Sequence, residues 1–199
     1  MQNGKTIVMT IYNKKGKEVG KNTYIISNVT TTTRTTTTAT VNSEFTDTKG
    51  KSIAKASNQV KCTAGVMMMD MKMFIPSAQQ EQMGTAAATA SDVYLEYPES
   101  MKEGDVLNDG EFKMDFKMQS GIAGSVSVLI TNRKVEGKES VTTAAGTWQC
   151  FKITYHSKIT MKMGIGIPIN ANVTEWYAPD FGVVKTESGS GKTEITSVQ

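Results

Sequence analysis

A single histidine, two cysteines and a few carboxylates are what this 199-residue chain offers for bond-making chemistry. His156 stands on the polar side of an alternating stretch, with no serine or cysteine that the spacing pairs with it. It also lacks the partners that a histidine metal site needs, so it reads as a surface or structural residue. Gly189-Ser-Gly-Lys-Thr193 imitates the end of a phosphate-binding loop, but that motif needs a glycine five positions before Gly191, where Thr186 stands. Asp105, Asp109 and Glu111 gather in one loop, as ligands of a hard cation do, yet their spacing departs from a Ca²⁺ loop and suits ordinary turn chemistry. No pair of carboxylates is divided by an apolar setting into an acid and a base. The residues therefore predict a protein that is not an enzyme, with no cofactor and no metal.

Cys62 and Cys150 each fall in a strand-like stretch beside an apolar neighbour, Val60 and Trp148. In an oxidising compartment, neighbouring strands would let them form a disulfide worth ~4 kcal/mol in the chain-entropy model; otherwise they are two buried free thiols. The thirteen methionines are a more unusual feature. Met67, Met69, Met71 and Met73 alternate with Asp70 and Lys72, and Phe112, Met114, Phe116 and Met118 alternate with Lys113, Asp115 and Lys117. In the third such stretch Phe151, Ile153, Tyr155, Ile159, Met161 and Met163 alternate with lysine and threonine. Methionine is flexible and polarisable, so a shared interior built from these faces either simply fills a core or adapts to an apolar guest. The candidate ligand-binding residues are Met69, Met71, Met73, Phe112, Met114, Phe116, Met161 and Met163.

A period of two marks half-buried strands, and it sets the elements that must hold these residues. Gly146 to Lys185 reads as a long hairpin around which the rest is laid, turning at Gly164. Strands over Lys5 to Tyr12 and Val19 to Val29 are joined by Asn13-Lys-Lys-Gly-Lys17, and Asp47-Thr-Lys-Gly-Lys51 makes a second turn of the same type. Thr30 to Thr38 reads as a strand polar on both faces. Further strands are expected over Ser52 to Cys62, Val66 to Phe74, Ser91 to Tyr97, Glu111 to Met118 and Ser125 to Arg133. Pro76 to Gln80 resembles a helix start with Ser77 as N-cap and Gln80 closing a capping box, and Gly84 as its stop before an Ala and Thr loop, Thr85 to Ala90. The prediction is a mainly β fold: an antiparallel sheet of about ten strands forming a sandwich or open half-barrel, with one short helix. It is one domain over residues 1–199, with a mobile Gly and Ser tail from about residue 188.

Hydrophobic residues make up 38% of the chain and threonine takes up the shortfall, as in a β protein with polar outer faces. A net charge of +3 with scattered lysines lacks the basic stripe of a nucleic-acid binder. No apolar run reaches the roughly 18 residues of a transmembrane helix. The start, MQNGKTIVMTIY, lacks the features of a signal peptide, which predicts either a cytoplasmic protein or mature residues after leader removal.

Three segments in order carry a resemblance: Thr147-Trp-Gln-Cys-Phe-Lys-Ile153, Glu175-Trp-Tyr-Ala-Pro179 with Gly182-Val-Val-Lys185, and Tyr97-Pro-Glu-Ser-Met-Lys-Glu-Gly-Asp-Val-Leu-Asn-Asp-Gly110. Together they resemble the TapB-like family of exported Bacteroidota proteins, which has no established activity. The resemblance implies an antiparallel β domain exported to the periplasm or outer envelope. The function expected is a non-enzymatic envelope protein that binds an apolar small molecule or envelope-derived ligand. The alternatives are a structural or interaction module for other envelope proteins, and a hydrolase with an unrecognised site, which would need a strongly shifted titratable group in a pocket.

Overall fold

The computed structural model describes residues 1–33, 35–83, 92–117, 121–163, 165–179 and 181–199. The first five strands are β1 (Thr6–Asn13), β2 (Glu18–Thr33), β3 (Thr36–Thr46), β4 (Ser52–Thr63) and β5 (Val66–Asp70). A 3₁₀ turn (Met71–Phe74) and helix α1 (Ser77–Met83) lead to β6 (Tyr94–Pro98) and β7 (Gly110–Lys117). Then come β8 (Ala123–Thr143), β9 (Gly146–Met163), β10 (Ile165–Ala178), β11 (Gly182–Ser188) and β12 (Gly191–Val198). All twelve belong to one antiparallel sheet, in the spatial order β6, β5, β4, β3, β2, β1, β12, β11, β10, β9, β8, β7.

Local chemistry sets the hairpins. Asn13 Oδ1 accepts from the backbone N–H of Lys15 and Lys17 at 2.9 and 3.2 Å, and Asp47 Oδ1 accepts from Lys49 and Lys51 at 2.8 and 2.9 Å. The two Lys-Gly-Lys turns are thus one device, a side chain closing an Asx turn whose glycine takes positive φ, 73° at Gly16 and 78° at Gly50. The sheet curls until its two edge strands approach each other without pairing. At that seam Gly110 of β7 sits so close to Leu95 of β6 and to Met71 that an added Cβ would lie 2.7 and 2.8 Å from them. The result is a nearly closed barrel rather than a sandwich.

One large apolar cluster fills the interior between β5 to β10, including Met71, Leu95, Tyr97, Phe112, Phe116, Val126, Val128, Ile130 and Ile153. Burying each such side chain contributes roughly 1.5–3 kcal/mol. Met67, Met69, Met114, Ile159 and Met161 pack against it, so the three methionine-bearing stretches do meet in one interior. A second cluster joins Met9, Trp176, Val184 and Ile195 under the far ends of β8 and β9, where Val141 and Cys150 lie.

Several expectations are corrected. The segment taken as a mobile tail is the turn into β12, which pairs with both β1 and β11 and buries Ile195, so it joins the two halves of the sheet. The threonine run is not one strand: it is the tip of the β2–β3 hairpin, where Thr30 faces Thr38 and Thr31 faces Thr37. The strand begun at Val66 stops at Asp70, whose Oδ1 accepts from the Lys72 backbone N–H and starts the 3₁₀ turn. Asp70 and Lys72 do not point to solvent; both are buried, with Lys72 Nζ 3.2 Å from Asp70 Oδ2 and 2.8 Å from Asp92 Oδ1. Gln80 closes no capping box, because its Nε2 donates to the carbonyls of Lys72 and Ile75 at 2.8 and 2.7 Å. β8 continues ten residues past Arg133, to Thr143. Gly84, Thr85 to Ala90, Met118 and Gly164 lie outside the described residues.

Candidate functional site

Along β10 the inward positions are Val173, Glu175 and Tyr177, so a carboxyl occupies a place that the strand's period reserves for an apolar side chain. Glu175 is only 2% exposed. Its counter-charge arrives from β8 by an irregularity. Before it, the even-numbered Val126, Val128 and Ile130 point inward; between Thr131 and Lys134 the register with β9 shifts, Asn132 takes a φ of 57°, and thereafter Arg133 and Val135 point inward.

Arg133 is wholly buried. Its Nη1 donates to the carbonyls of Glu96 and Asn108, both at 2.9 Å, tying edge strand β6 and the 99–109 connection to β8. The guanidinium carbon lies 4.7 Å from the centre of the Tyr97 ring, which in turn stacks on Tyr177 at 4.6 Å. Tyr155 Oη donates to Glu175 Oε2 at 3.4 Å. Arg133 Nε and Nη2 are buried with no hydrogen-bond partner among the described residues, and the buried Tyr97 hydroxyl lies beside the Glu175 carboxyl outside good hydrogen-bond geometry. Burial pushes the Glu175 carboxyl from 4.5 up to about 7, against the pull of the Arg133 charge and the two tyrosine hydroxyls. Burial, and then the Glu175 charge, hold the Tyr97 and Tyr155 hydroxyls well above 10.

Glu175 and Tyr155 also line a cavity of about 440 Å³. Its walls are mainly apolar, with Met9 from β1, Tyr24 from β2, Val41 from β3, and Met67 and Met69 from β5 among them. Chemically the arrangement offers a mainly apolar volume with a few polar side chains in its lining, among them Asn22, Glu175 and Glu187. None of the described lining residues is a cysteine or a histidine, and among the described residues no cluster of His, Cys, Asp or Glu could hold a metal ion.

Of the eight residues expected to bind a ligand, Met69 and Met73 line this cavity. Met71, Phe112 and Phe116 are instead packed into the main core, with Met114 and Met161 half-buried against it. Met163 is 47% exposed at the end of β9, where the strand has outrun its cover. Of the two alternatives for the cysteines the structure has free thiols, Cys62 half-buried and Cys150 buried: they sit on β4 and β9, with six strands between them in the sheet. His156 is a surface residue whose Nδ1 lies 3.0 Å from Asn172 Oδ1. Asp105 serves a turn, accepting from the backbone N–H of Lys102, while Asp109 reaches across to accept from the backbone N–H of Asn132 at the β8 register shift. The buried Glu175 and Arg133 were missed, although Glu175 breaks the apolar parity of Val173 and Tyr177, and that signal stood in the sequence.

The same chain path and order of strands occur elsewhere, and a family model described as DUF3108-like matches residues 2–199. The chain belongs to the DUF3108-like family. Two crystal structures are similar over its whole length. One is a presumed exported protein with a YmcC-like fold from Bacteroides fragilis NCTC 9343, 22% identical, with a TM-score of 0.77 over 100% of this chain and 96% of that one. The other is a presumed lipoprotein from Parabacteroides distasonis ATCC 8503, 19% identical, with the same TM-score and coverage. At these identities the likeness establishes the fold. No curated protein matches the sequence significantly.

Proposed function

We propose that the protein is a non-enzymatic, exported protein of the periplasm or outer envelope that takes an apolar, envelope-derived ligand into the cavity beside Glu175. On this reading it is TapB-like, as the ordered motifs around Trp148, Trp176 and Tyr97 suggest, and its export agrees with how the two similar structures are described. The observation that carries the proposal is the cavity itself. At about 440 Å³ it falls within the range of roughly 300–1,000 Å³ typical of small-molecule sites. Its methionines can reshape around a guest. Titration with the fluorescent apolar probe N-phenyl-1-naphthylamine tests the reading, comparing the wild type with Val183→Phe, which fills the lining. The expected result is saturable binding that the filled variant loses by about tenfold or more while keeping its Tm. Unchanged binding in a folded Val183→Phe, or no binding by the wild type, refutes the site.

A second reading has one observation in its favour. A hydrolase would need a strongly shifted titratable group in a pocket, and Glu175 is such a group. Turnover of a p-nitrophenyl ester that disappears in Glu175→Gln would support it; equal rates in both proteins would remove it.

A further inference from the structure

We infer that the free ends of the β7–β8 and β9–β10 hairpins insert shallowly into the surface of a bilayer that contains anionic phospholipid. None of the residues concerned lines the cavity, so the inference stands apart from the ligand-binding reading. The sheet is uneven at this end. β10 pairs with β11 only from Val173 onward, and residues 165–172 pair with β9 alone among the described residues. Apolar side chains stand uncovered on this projection: Ile122 just before β8 is 54% exposed, Met163 at the end of β9 47% and Ile169 on β10 58%. Ile169 lies opposite Ile159, which packs on the core, so it continues the inner, apolar face of the sheet past the core that covers it. Exposed apolar side chains gathered in this way mark contact with a further surface. Strand addition by a second copy fits poorly, because Pro168 leaves the unpaired edge of β10 short of an N–H.

The charges select the surface. Residues 111–117, 121–130, 157–163 and 165–172 hold four lysines, Lys113, Lys117, Lys158 and Lys162, against two carboxylates, Glu111 and Asp115. Lys113 is paired with Glu111 at 2.6 Å. Lys117, Lys158 and Lys162 are exposed, and none makes an ion pair among the described residues. Lys117 closes β7 and Lys162 immediately precedes Met163, so both ammonium groups stand just behind the apolar tips. That is the order a membrane interface asks for: apolar side chains enter the acyl boundary, and lysines on long stems reach back to the lipid phosphates.

The test is cosedimentation with vesicles of phosphatidylcholine, alone or with about one third phosphatidylglycerol, at low and at high salt. The wild type is expected to bind the mixed vesicles at least about tenfold more tightly, and salt should weaken that binding, since each lysine near an anionic surface contributes about fivefold. Lys117→Gln combined with Lys162→Gln should lose about tenfold or more on the mixed vesicles. Lys61→Gln combined with Lys138→Gln, an equal change of charge on β4 and near the other end of β8, should lose less than about threefold. Ile122→Ser combined with Met163→Ser keeps the charge and should also lose about tenfold or more. The four tip side chains are exposed, so Tm should hold in both tip variants. No binding by the wild type, equal binding to the two kinds of vesicle, an equal loss in the two lysine pairs, or wild-type binding by the serine variant each overturns the inference. A dimer in sedimentation velocity that the serine variant abolishes overturns it too, because the apolar tips then cover a second copy.

Discussion

Replacing Glu175 by glutamine should change how stability depends on pH more than it changes stability at any one pH. The carboxyl is buried, and its folded value near 7 lies above the 4.5 of an exposed glutamate. Between these values the unfolded chain has released its proton while the folded chain still holds it, so the unfolded state gains with rising pH. Below about 4.5 the group contributes no penalty. As the pH climbs to 7 the penalty grows by about 1.4 kcal/mol for each pH unit, to about 3 kcal/mol, and above 7 it stays constant. Glutamine keeps the shape and one acceptor oxygen but does not titrate. Other titrating groups are common to both proteins, so urea unfolding of the pair at intervals from pH 4 to pH 8 isolates this one. The stability of the wild type relative to Glu175→Gln should fall by about 3 kcal/mol across that range, with most of the fall between pH 4.5 and 7. Parallel curves, differing by less than about 1 kcal/mol from end to end, would mean that water reaches the carboxyl or that Arg133 offsets its burial, and would refute the assignment.

Phe116 is buried against Gly124, where an added Cβ would lie 2.7 Å from its ring, so Phe116→Ala should cost about 3–5 kcal/mol in urea unfolding. Gly191, at a φ of 146° and in close contact with the Tyr12 carbonyl, opens the strand that joins the two halves of the sheet. Gly191→Ala should therefore cost more than about 2 kcal/mol, and a near-neutral effect would contradict the β1–β12 pairing. Burial, and then Glu139, push the Cys150 thiol up to about 11, so a thiol reagent should label Cys62 alone in the folded protein and both cysteines in denaturant. Reductant should leave Tm unchanged.

Much of the fold was legible because most strands have one apolar and one polar face. Glu111 to Lys117 alternates without a break, and β7 buries Phe112 and Phe116 while exposing Glu111, Lys113 and Lys117. The two Lys-Gly-Lys turns were legible for the same reason, since Asn13 and Asp47 carry their own turn chemistry. Period-two reasoning failed where alternation outlasted the strand. From Met67 to Met73 the apolar spacing is unbroken, yet Asp70 can bond to the Lys72 N–H more locally than any neighbouring strand could, and the chain turns there. In the threonine run there was no apolar face to set a register, so a hairpin tip and a straight strand have the same composition. β12 was hidden by its polarity. Ile195 is its only fully buried side chain, and its place is held by backbone pairing on both sides.

The candidate site was harder to see for a different reason. The residues singled out for binding were chosen because they are apolar and alternate, and those same properties make Met71, Phe112 and Phe116 good core, so most of them fill space instead of lining it. A site is marked by what a core should not contain. Glu175 met that description, but the nearby Arg133 charge depends on the register shift at Thr131 to Lys134, which turns an arginine inward that simple parity from Ile130 would have pointed outward. Their approach also depends on β8 and β10 flanking β9 in one meander, which brings close two residues about forty positions apart in the chain. The buried Arg133 guanidinium holds Glu96 of β6 and Asn108, just before β7, together at the seam where these two edge strands do not pair among the described residues. Glu175, whose Oε2 accepts from Tyr155, is the one of the two charged residues that also lines the cavity.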